Sequence, residues 1–197
     1  MTKRLFDVVV SGIALLLLSP LLVVLGILVK LDSPGPALFR QERVGRYGRP
    51  FLIHKFRTMR EGERAPALQL TVGNDPRITR FGAFLRRYKL DELPQLLDVF
   101  VGHMSFVGPR PELSTYVMRY PEEVRTHILS VRPGITDPSS IEFRDENVLL
   151  ATASDPERMY VEEILPRKLA SSRRYLEGRS LLTDIRLIWR TLRHVSS

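Results

Sequence analysis

Residues 8–29 read VVVSGIALLLLSPLLVVLGILV, 22 positions without a charge. As a straight helix this run reaches about 33 Å, enough for a hydrocarbon core of about 30 Å, and so marks a membrane segment. A cleavable signal is a poorer fit, because Leu28-Val29-Lys30-Leu31-Asp32 offers no small-x-small exit. Lys3 and Arg4 precede the run, and Lys30, Arg40, Arg43, Arg46 and Arg49 follow it. Basic residues at both ends remove the asymmetry that orients a simple span. Pro20 lacks an amide hydrogen and crowds the carbonyl of Leu16, which predicts a bend at Ser19-Pro20 with the Ser19 hydroxyl taking up the freed carbonyl. Arms of about 12 and 10 residues would each cover half a bilayer. A proline-kinked span and a re-entrant hairpin both satisfy these constraints. The two-sided basic flank favours the hairpin, with residues 1–31 as a re-entrant helix-break-helix and 32–197 as a domain on the cytoplasmic face.

Beyond the membrane run, Asp32-Ser33-Pro34-Gly35-Pro36 punctuates the chain, and Ala37–Arg40 and Phe51–Met59 predict two strands around a turn at 41–50. A polar loop follows over 60–76. Ile78, Phe81, Phe84 and Leu85 recur at helical spacing against Arg80, Arg86 and Arg87, predicting a basic amphipathic helix over 78–88. Another helix starts at Asp91-Glu92-Leu93-Pro94, and with Asp91 as N-cap, Pro94 falls at N3, where its missing amide costs no bond. Repeated glycine and proline predict long loops over 101–147. Helical periodicity returns over 160–176 and 181–195, the last helix setting Leu181, Leu182, Ile185, Ile188, Trp189 and Leu192 against Arg186, Arg190 and Arg193. That pattern suits a headgroup boundary or a core contact equally. The fold expected is α/β: a small sheet, surface amphipathic helices and an N-terminal re-entrant, kinked membrane helix.

The chain's 197 residues, 44% hydrophobic, suffice for one core. Arginine supplies 25 of the 30 basic residues and the formal charge is +8, so anionic partners are expected. The absence of cysteine excludes disulfides, thiolate catalysis and cysteine-ligated zinc. His54, His103, His127 and His194 are scattered, which speaks against a histidine-built metal site. No nucleic-acid module is present, so nucleic acid is not an expected partner. Adjacent carboxylates such as Asp91-Glu92 often merely complement a helix dipole. Here Arg86, Arg87 and Lys89 precede them, while Gly108-Pro109-Arg110-Pro111 and Arg132-Pro133-Gly134 each fix an arginine in a stiff turn. Carboxylates among arginines suit phosphate chemistry: the arginines hold the anion, and the carboxylate binds a divalent cation or attacks phosphorus. A non-catalytic, membrane-anchored basic scaffold that binds anionic lipid would use the same membrane element. It gives the stiff arginine turns no purpose.

Lys-Phe-Arg-Thr-Met at 55–59, Asp-Pro-Arg-Ile-Thr-Arg at 75–80, Leu-Asp-Glu-Leu-Pro-Gln at 90–95, Met-Ser-Phe-Val-Gly-Pro-Arg-Pro at 104–111 and Arg-Pro-Gly-Ile-Thr at 132–136 resemble, in order and spacing, the motifs of the bacterial sugar transferases, the small monotopic phosphoglycosyl transferases. The resemblance extends from the Ser19-Pro20 break to the C-terminal helix. It implies a two-step reaction at the cytoplasmic face of the bacterial inner membrane. A UDP-sugar gives its sugar phosphate to an aspartate, releasing UMP, and a polyprenol phosphate, typically undecaprenyl phosphate, collects it as a polyprenyl-diphosphate sugar. Asp91 then corresponds to the nucleophile and Mg²⁺ contact, and Glu92 to its partner in metal binding or proton handling. Arg86, Arg110, Arg132 and Arg144 correspond to phosphate- or substrate-binding arginines. The chain departs from the family in carrying His103 where an acidic residue is common, and Asp137-Pro138-Ser139-Ser140 where glycine-tryptophan often follows. No motif specifies the sugar or an oligomeric state.

Overall fold

The computed structural model describes residues 2–60, 70–73 and 75–196, so most of the loop expected over 60–76 lies outside the described residues. Among those described, the order is α1 (Thr2–Asp32), β1 (Leu38–Val44), β2 (Pro50–Phe56), α2 (Arg80–Arg87), α3 (Gln95–Val101), β3 (Ser105–Val107), α4 (Ser114–Val117), α5 (Glu122–Leu129), β4 (Gly134–Thr136), α6 (Pro138–Glu142), α7 (Glu146–Ala151), α8 (Pro156–Met159), α9 (Leu165–Glu177) and α10 (Leu181–Ser196). The architecture is mixed helix and sheet, but the expected single small sheet is two. One is an antiparallel hairpin of β1 and β2, in register from Leu38 opposite Phe56 to Val44 opposite Pro50; the other is a parallel pair of β3 and β4.

The two arms predicted around Ser19-Pro20 form one element of secondary structure, a helix with Pro20 inside it. Continuity is cheap because only one backbone bond is lost and the Ser19 hydroxyl donates to the Leu16 carbonyl at 2.8 Å. Both ends of α1 are fastened to the rest of the chain. At the start, Lys3 pairs with Asp184, Arg4 donates to the carbonyls of Val99 (2.6 Å) and Phe100 (2.8 Å), and buried Asp7 accepts from the Phe106 amide. At the end, Leu25 and Val29 pack with Phe56 and Leu85, and buried Arg57 donates to the Ser33 carbonyl. Between them, Leu16, Leu17, Leu21, Val23 and Val24 are exposed.

The region expected as loops, 101–147, holds two strands and several short helices. Two of its five prolines start helices instead of ending them: Pro121 precedes Glu122 at the head of α5, and Pro138 is the first residue of α6, where Asp137 caps the Ser140 amide at 2.7 Å. These pieces pack on α9 around Val107, Tyr116, Ile128, Leu150 and Tyr160, the largest core. The helix expected over 160–176 is a π turn at Tyr160–Ile164 continued by α9. In α10 the sequence stripe points outward at Leu182, Ile185, Trp189 and Leu192, while Asp184 and Leu187 face the core.

β3 and β4 approach so closely that a Cβ on Gly134 would stand 2.1 Å from the Gly108 nitrogen. Gly134→Ala is therefore expected to cost about 3 kcal/mol and lower the melting temperature by several degrees, measured on detergent-solubilised protein by circular dichroism. An unchanged midpoint would show that the backbone can part there at no cost.

Candidate active site

After α2, Lys89 takes up a left-handed conformation at φ 53°, a place where glycine is the usual residue. A single tight turn, Leu90–Glu92, follows, closed by Glu92 N–H on the Lys89 carbonyl and Leu93 N–H on the Leu90 carbonyl. Only then does α3 begin, with Pro94 at its cap position and no capping side chain. Asp91 is thus not the N-cap that the sequence predicts. The left-handed residue separates the dyad from α2 and sets the two carboxyl groups in a tight turn that leads through Leu93 and Pro94 into α3.

Their environments differ. Glu92 Oε1 accepts from Lys55 Nζ at 2.6 Å and from Arg110 at 2.7 Å, and its side chain is mostly buried. Burial pushes the Glu92 carboxyl up, but Arg110 and Lys55 outweigh it and hold the group well below the usual glutamate range. In return Glu92 raises the Arg110 guanidinium, whereas burial draws the Lys55 ammonium down. Asp91 is also buried, but its Oδ1 has no hydrogen-bond partner among the described residues. Burial first, and then the neighbouring Glu92 charge, push the Asp91 carboxyl up; Lys55 and Arg86 pull the other way. One carboxylate is fully engaged by cations and its neighbour is left with open lone pairs.

The cations come from separate segments. Lys55 extends from β2, in phase with buried Phe51 and Ile53. Arg110 belongs to the turn after β3, which is fixed to the 132–136 segment by Gly108 N–H on the Thr136 carbonyl and Gly134 N–H on the Pro109 carbonyl. Arg86, on the last turn of α2, donates Nε–H to Thr58 Oγ1 at 2.9 Å and lies within electrostatic reach of Asp91. Four of the six expected site residues, Asp91, Glu92, Arg86 and Arg110, therefore form one group.

The other two lie elsewhere. Arg132 donates to the Gly102 carbonyl at 2.7 Å, at the far end of α3 from the dyad, and Arg144 donates to the His194 carbonyl on α10. Sequence reading assigned no role to Lys55 or Thr58. A lysine in phase with buried strand positions was the available signal, since a buried ammonium needs a buried anion. The four histidines build no site: His54 donates its amide to Asp98 Oδ2 and pairs Nδ1 with Oδ1 at 2.8 Å. Among the described residues no cluster of three or more histidine or acidic side chains could hold a metal ion. A metal at the dyad would rest on Asp91, whose buried Oδ1 accepts no hydrogen bond among the described residues, and draw its other ligands from substrate phosphates and water, as Mg²⁺ commonly does.

Comparison with known proteins gives one consistent answer. The chain matches the family described as bacterial sugar transferase over residues 1–197. It is 37% identical over 193 residues to a UDP-glucose:undecaprenyl-phosphate glucose-1-phosphate transferase of Escherichia coli, covering 96% of this chain and 39% of that protein. It is 34% identical over 195 residues to a UDP-N-acetylgalactosamine-undecaprenyl-phosphate N-acetylgalactosaminephosphotransferase of Aeromonas hydrophila, covering 98% of this chain and 43% of the relative. The chain thus spans about two-fifths of the length of these two relatives. It covers 92% of an exopolysaccharide production protein PSS of Rhizobium leguminosarum, at 39% identity and 96% of its own length.

The opposite shifts of the two carboxyls separate their effects on stability. The Glu92 pKa is lower folded than unfolded, so its contribution is present above the unfolded value and lost as pH falls through the folded one. Glu92→Gln leaves Lys55 and Arg110 without their shared anion and is expected to cost about 3 kcal/mol at neutral pH. The Asp91 pKa is higher folded than unfolded, so its charge opposes folding at neutral pH. Asp91→Asn should melt a few degrees above wild type, for a gain of about 1 kcal/mol. Thermal melts of both variants at pH 7.5 check the pair, and equal shifts of the same sign would contradict it.

Proposed function

The chain belongs to the bacterial sugar transferase family, and we propose that it moves a sugar phosphate from a UDP-sugar to a polyprenol phosphate through a covalent intermediate on Asp91. The observation that carries this reading is the buried Oδ1 of Asp91, which accepts no hydrogen bond among the described residues, beside a Glu92 held by two cations. A carboxylate with few hydrogen-bond donors keeps its lone pairs available for attack, and the Lys55 and Arg86 charges favour its anionic form against burial and Glu92. In the first step an Asp91 oxygen bonds to the phosphorus that carries the sugar, the bond to the UMP oxygen breaks, and UMP leaves. In the second, a phosphate oxygen of undecaprenyl phosphate or a similar lipid attacks the same phosphorus. The Asp91–phosphorus bond breaks and the carboxylate is restored.

Glu92, ionised and fixed by Lys55 and Arg110, aims those cations at the diphosphate; its two strong donors leave it poorly placed to shuttle protons. Arg86 and Arg110 are the phosphate-binding arginines of this reading. Asp91 is the residue that would hold Mg²⁺, which when bound would neutralise the donor diphosphate. Arg132 and Arg144, each engaged with a backbone carbonyl, support the surrounding segments.

The same reading places α1 in the inner membrane as a re-entrant element with the domain at the cytoplasmic face. Support comes from the two fastened ends of α1: a domain that holds both Lys3–Asp7 and Leu25–Ser33 keeps them on one side of the bilayer, while the apolar middle is exposed. The outward faces of α2 at Phe84 and of α10 at Trp189 suit the interface with lipid.

Two measurements test the proposal. Reconstituted protein given a panel of UDP-sugars, polyprenol phosphate and Mg²⁺ should release UMP and form polyprenyl-diphosphate sugar with at least one donor. Arg110→Ala should lower the rate by about 10²–10³. Excess EDTA should stop it, and full turnover without divalent cation would remove the metal from the scheme. Because the chain has no cysteine, single cysteines at Thr2 and Ser197 report topology cleanly. Both should label only from the cytoplasmic side, and opposite-side labelling would establish a span.

A further inference from the structure

The C-terminal end of α3 gathers cations without carboxylate partners. Arg4 donates through both terminal nitrogens to the Val99 and Phe100 carbonyls, and its guanidinium lies so near Gly102 that a Cβ there would stand 3.0 Å from NH2 and 3.3 Å from Cζ. Arg132 reaches the same residue, Nε to the Gly102 carbonyl at 2.7 Å. Arg46 is tied beside it, Nε to the Ser130 carbonyl at 2.8 Å, with its guanidinium over the Tyr47 ring. Among the described residues none of the three forms a salt bridge. Burial and the charges of Arg4 and Arg46 all draw the Arg132 guanidinium below its ordinary value, with Asp7 opposing them. Asp7 is itself buried and accepts from the Phe106 amide.

Capping the end of a seven-residue helix requires one cation, since the dipole at such an end amounts to about half a charge. Arg4 and Arg132 already exceed that need, and with Arg46, held at the C-terminal end of α5 within electrostatic reach of Arg132, their mutual repulsion calls for an anion. The position names the kind of anion. Leu5 and Val9 on α1, one residue and five residues after Arg4, and Phe100 and Val101 on α3, just before Gly102, are all exposed. The cations therefore border an apolar surface continuous with the membrane helix, the depth at which lipid phosphates lie.

We propose that Arg4, Arg46 and Arg132 form a binding site for the phosphate of an anionic phospholipid headgroup, separate from the Asp91-Glu92 centre. The site rests on the reading of α1 as membrane-embedded. It seats the N-terminal end of α1 and the end of α3 at the bilayer surface, and so fixes the domain's height above the lipid.

The test uses the full chain, incorporated into nanodiscs of equal parts phosphatidylcholine and phosphatidylglycerol, released into lipid-free detergent and weighed intact by native mass spectrometry. Wild type should retain phosphatidylglycerol in preference to phosphatidylcholine. The pair R46Q/R132Q should lose about thirtyfold in that retention, two arginines each contributing near a membrane surface. Arg4 is left in place because it holds α1 to α3. The charge-keeping pair R46K/R132K should retain the preference to within about threefold, which separates lost charge from lost fold. Equal retention of the two lipids by wild type, equal retention by wild type and R46Q/R132Q, or no preference in R46K/R132K would each overturn the site. So would displacement of the lipid by millimolar inorganic phosphate, which would make it a soluble-anion site. A chain that enters no nanodisc of either lipid would overturn the membrane reading itself, and this site with it.

Discussion

Glu92 sits between two cations that belong to distant parts of the chain, Lys55 of the β1–β2 hairpin and Arg110 of the turn after β3. Burying a carboxylate without such partners costs several kcal/mol, and burying either cation alone costs as much. The three groups are therefore mutually obligatory, and their meeting fixes where the hairpin, the dyad turn and the Gly-Pro-Arg-Pro segment lie relative to one another. The close approach of Gly108 and Gly134 then holds that segment in place. Asp91, one residue away, inherits a site in which Lys55 and Arg110 are already committed to its neighbour, while Arg86 acts on it only across space. Two adjacent carboxyls of similar intrinsic acidity are thereby given opposite shifts, one held by two cations and the other with an oxygen that accepts no hydrogen bond among the described residues.

The membrane element is coupled to this centre through packing. Leu25 and Val29 of α1 share a cluster with Phe56, the residue after Lys55, and with Leu85, the residue before Arg86. The first turns of α1 hold the end of α3, whose start follows the dyad. The proposed reaction between a soluble nucleotide sugar and a lipid phosphate would need its nucleophile near the boundary where both can reach, and these contacts join the dyad to the apolar helix α1 through short paths in the fold.

How much of this was legible in the sequence varies with the kind of information each element needs. The α1 run could be read because 22 uncharged residues are a compositional fact, and the Ser19 hydroxyl behaves as its position beside Pro20 suggests. α10 followed from periodicity and the β1–β2 hairpin from its turn residues, although β1 runs on to Val44 through residues 41–44 that read as turn, because they pair with Pro50–Ile53. The short helices of 114–151 were missed because glycine and proline were counted as breakers, although Pro121 and Pro138 stand at helix starts where proline is favoured. The Asp91 cap was misplaced because nothing local announces a left-handed lysine at 89. Resemblance pointed to Asp91, Glu92, Arg86 and Arg110, but not to Lys55, whose contact with Glu92 spans 37 positions. The placements of Arg132 and Arg144 depend on equally distant partners, Gly102 and His194, that no spacing rule reaches.

The division of labour between the two carboxyls is the centre of the account, and the site of covalent attachment tests it most directly. Wild-type protein incubated with its UDP-sugar and Mg²⁺ in the absence of polyprenol phosphate should gain the mass of one phosphosugar. Peptide sequencing by mass spectrometry should place that mass on Asp91. Attachment to Glu92 would contradict the account, because the carboxylate held by Lys55 and Arg110 would then be the one that attacks. So would the absence of any adduct in an enzyme that turns over at its full rate once the lipid acceptor is supplied.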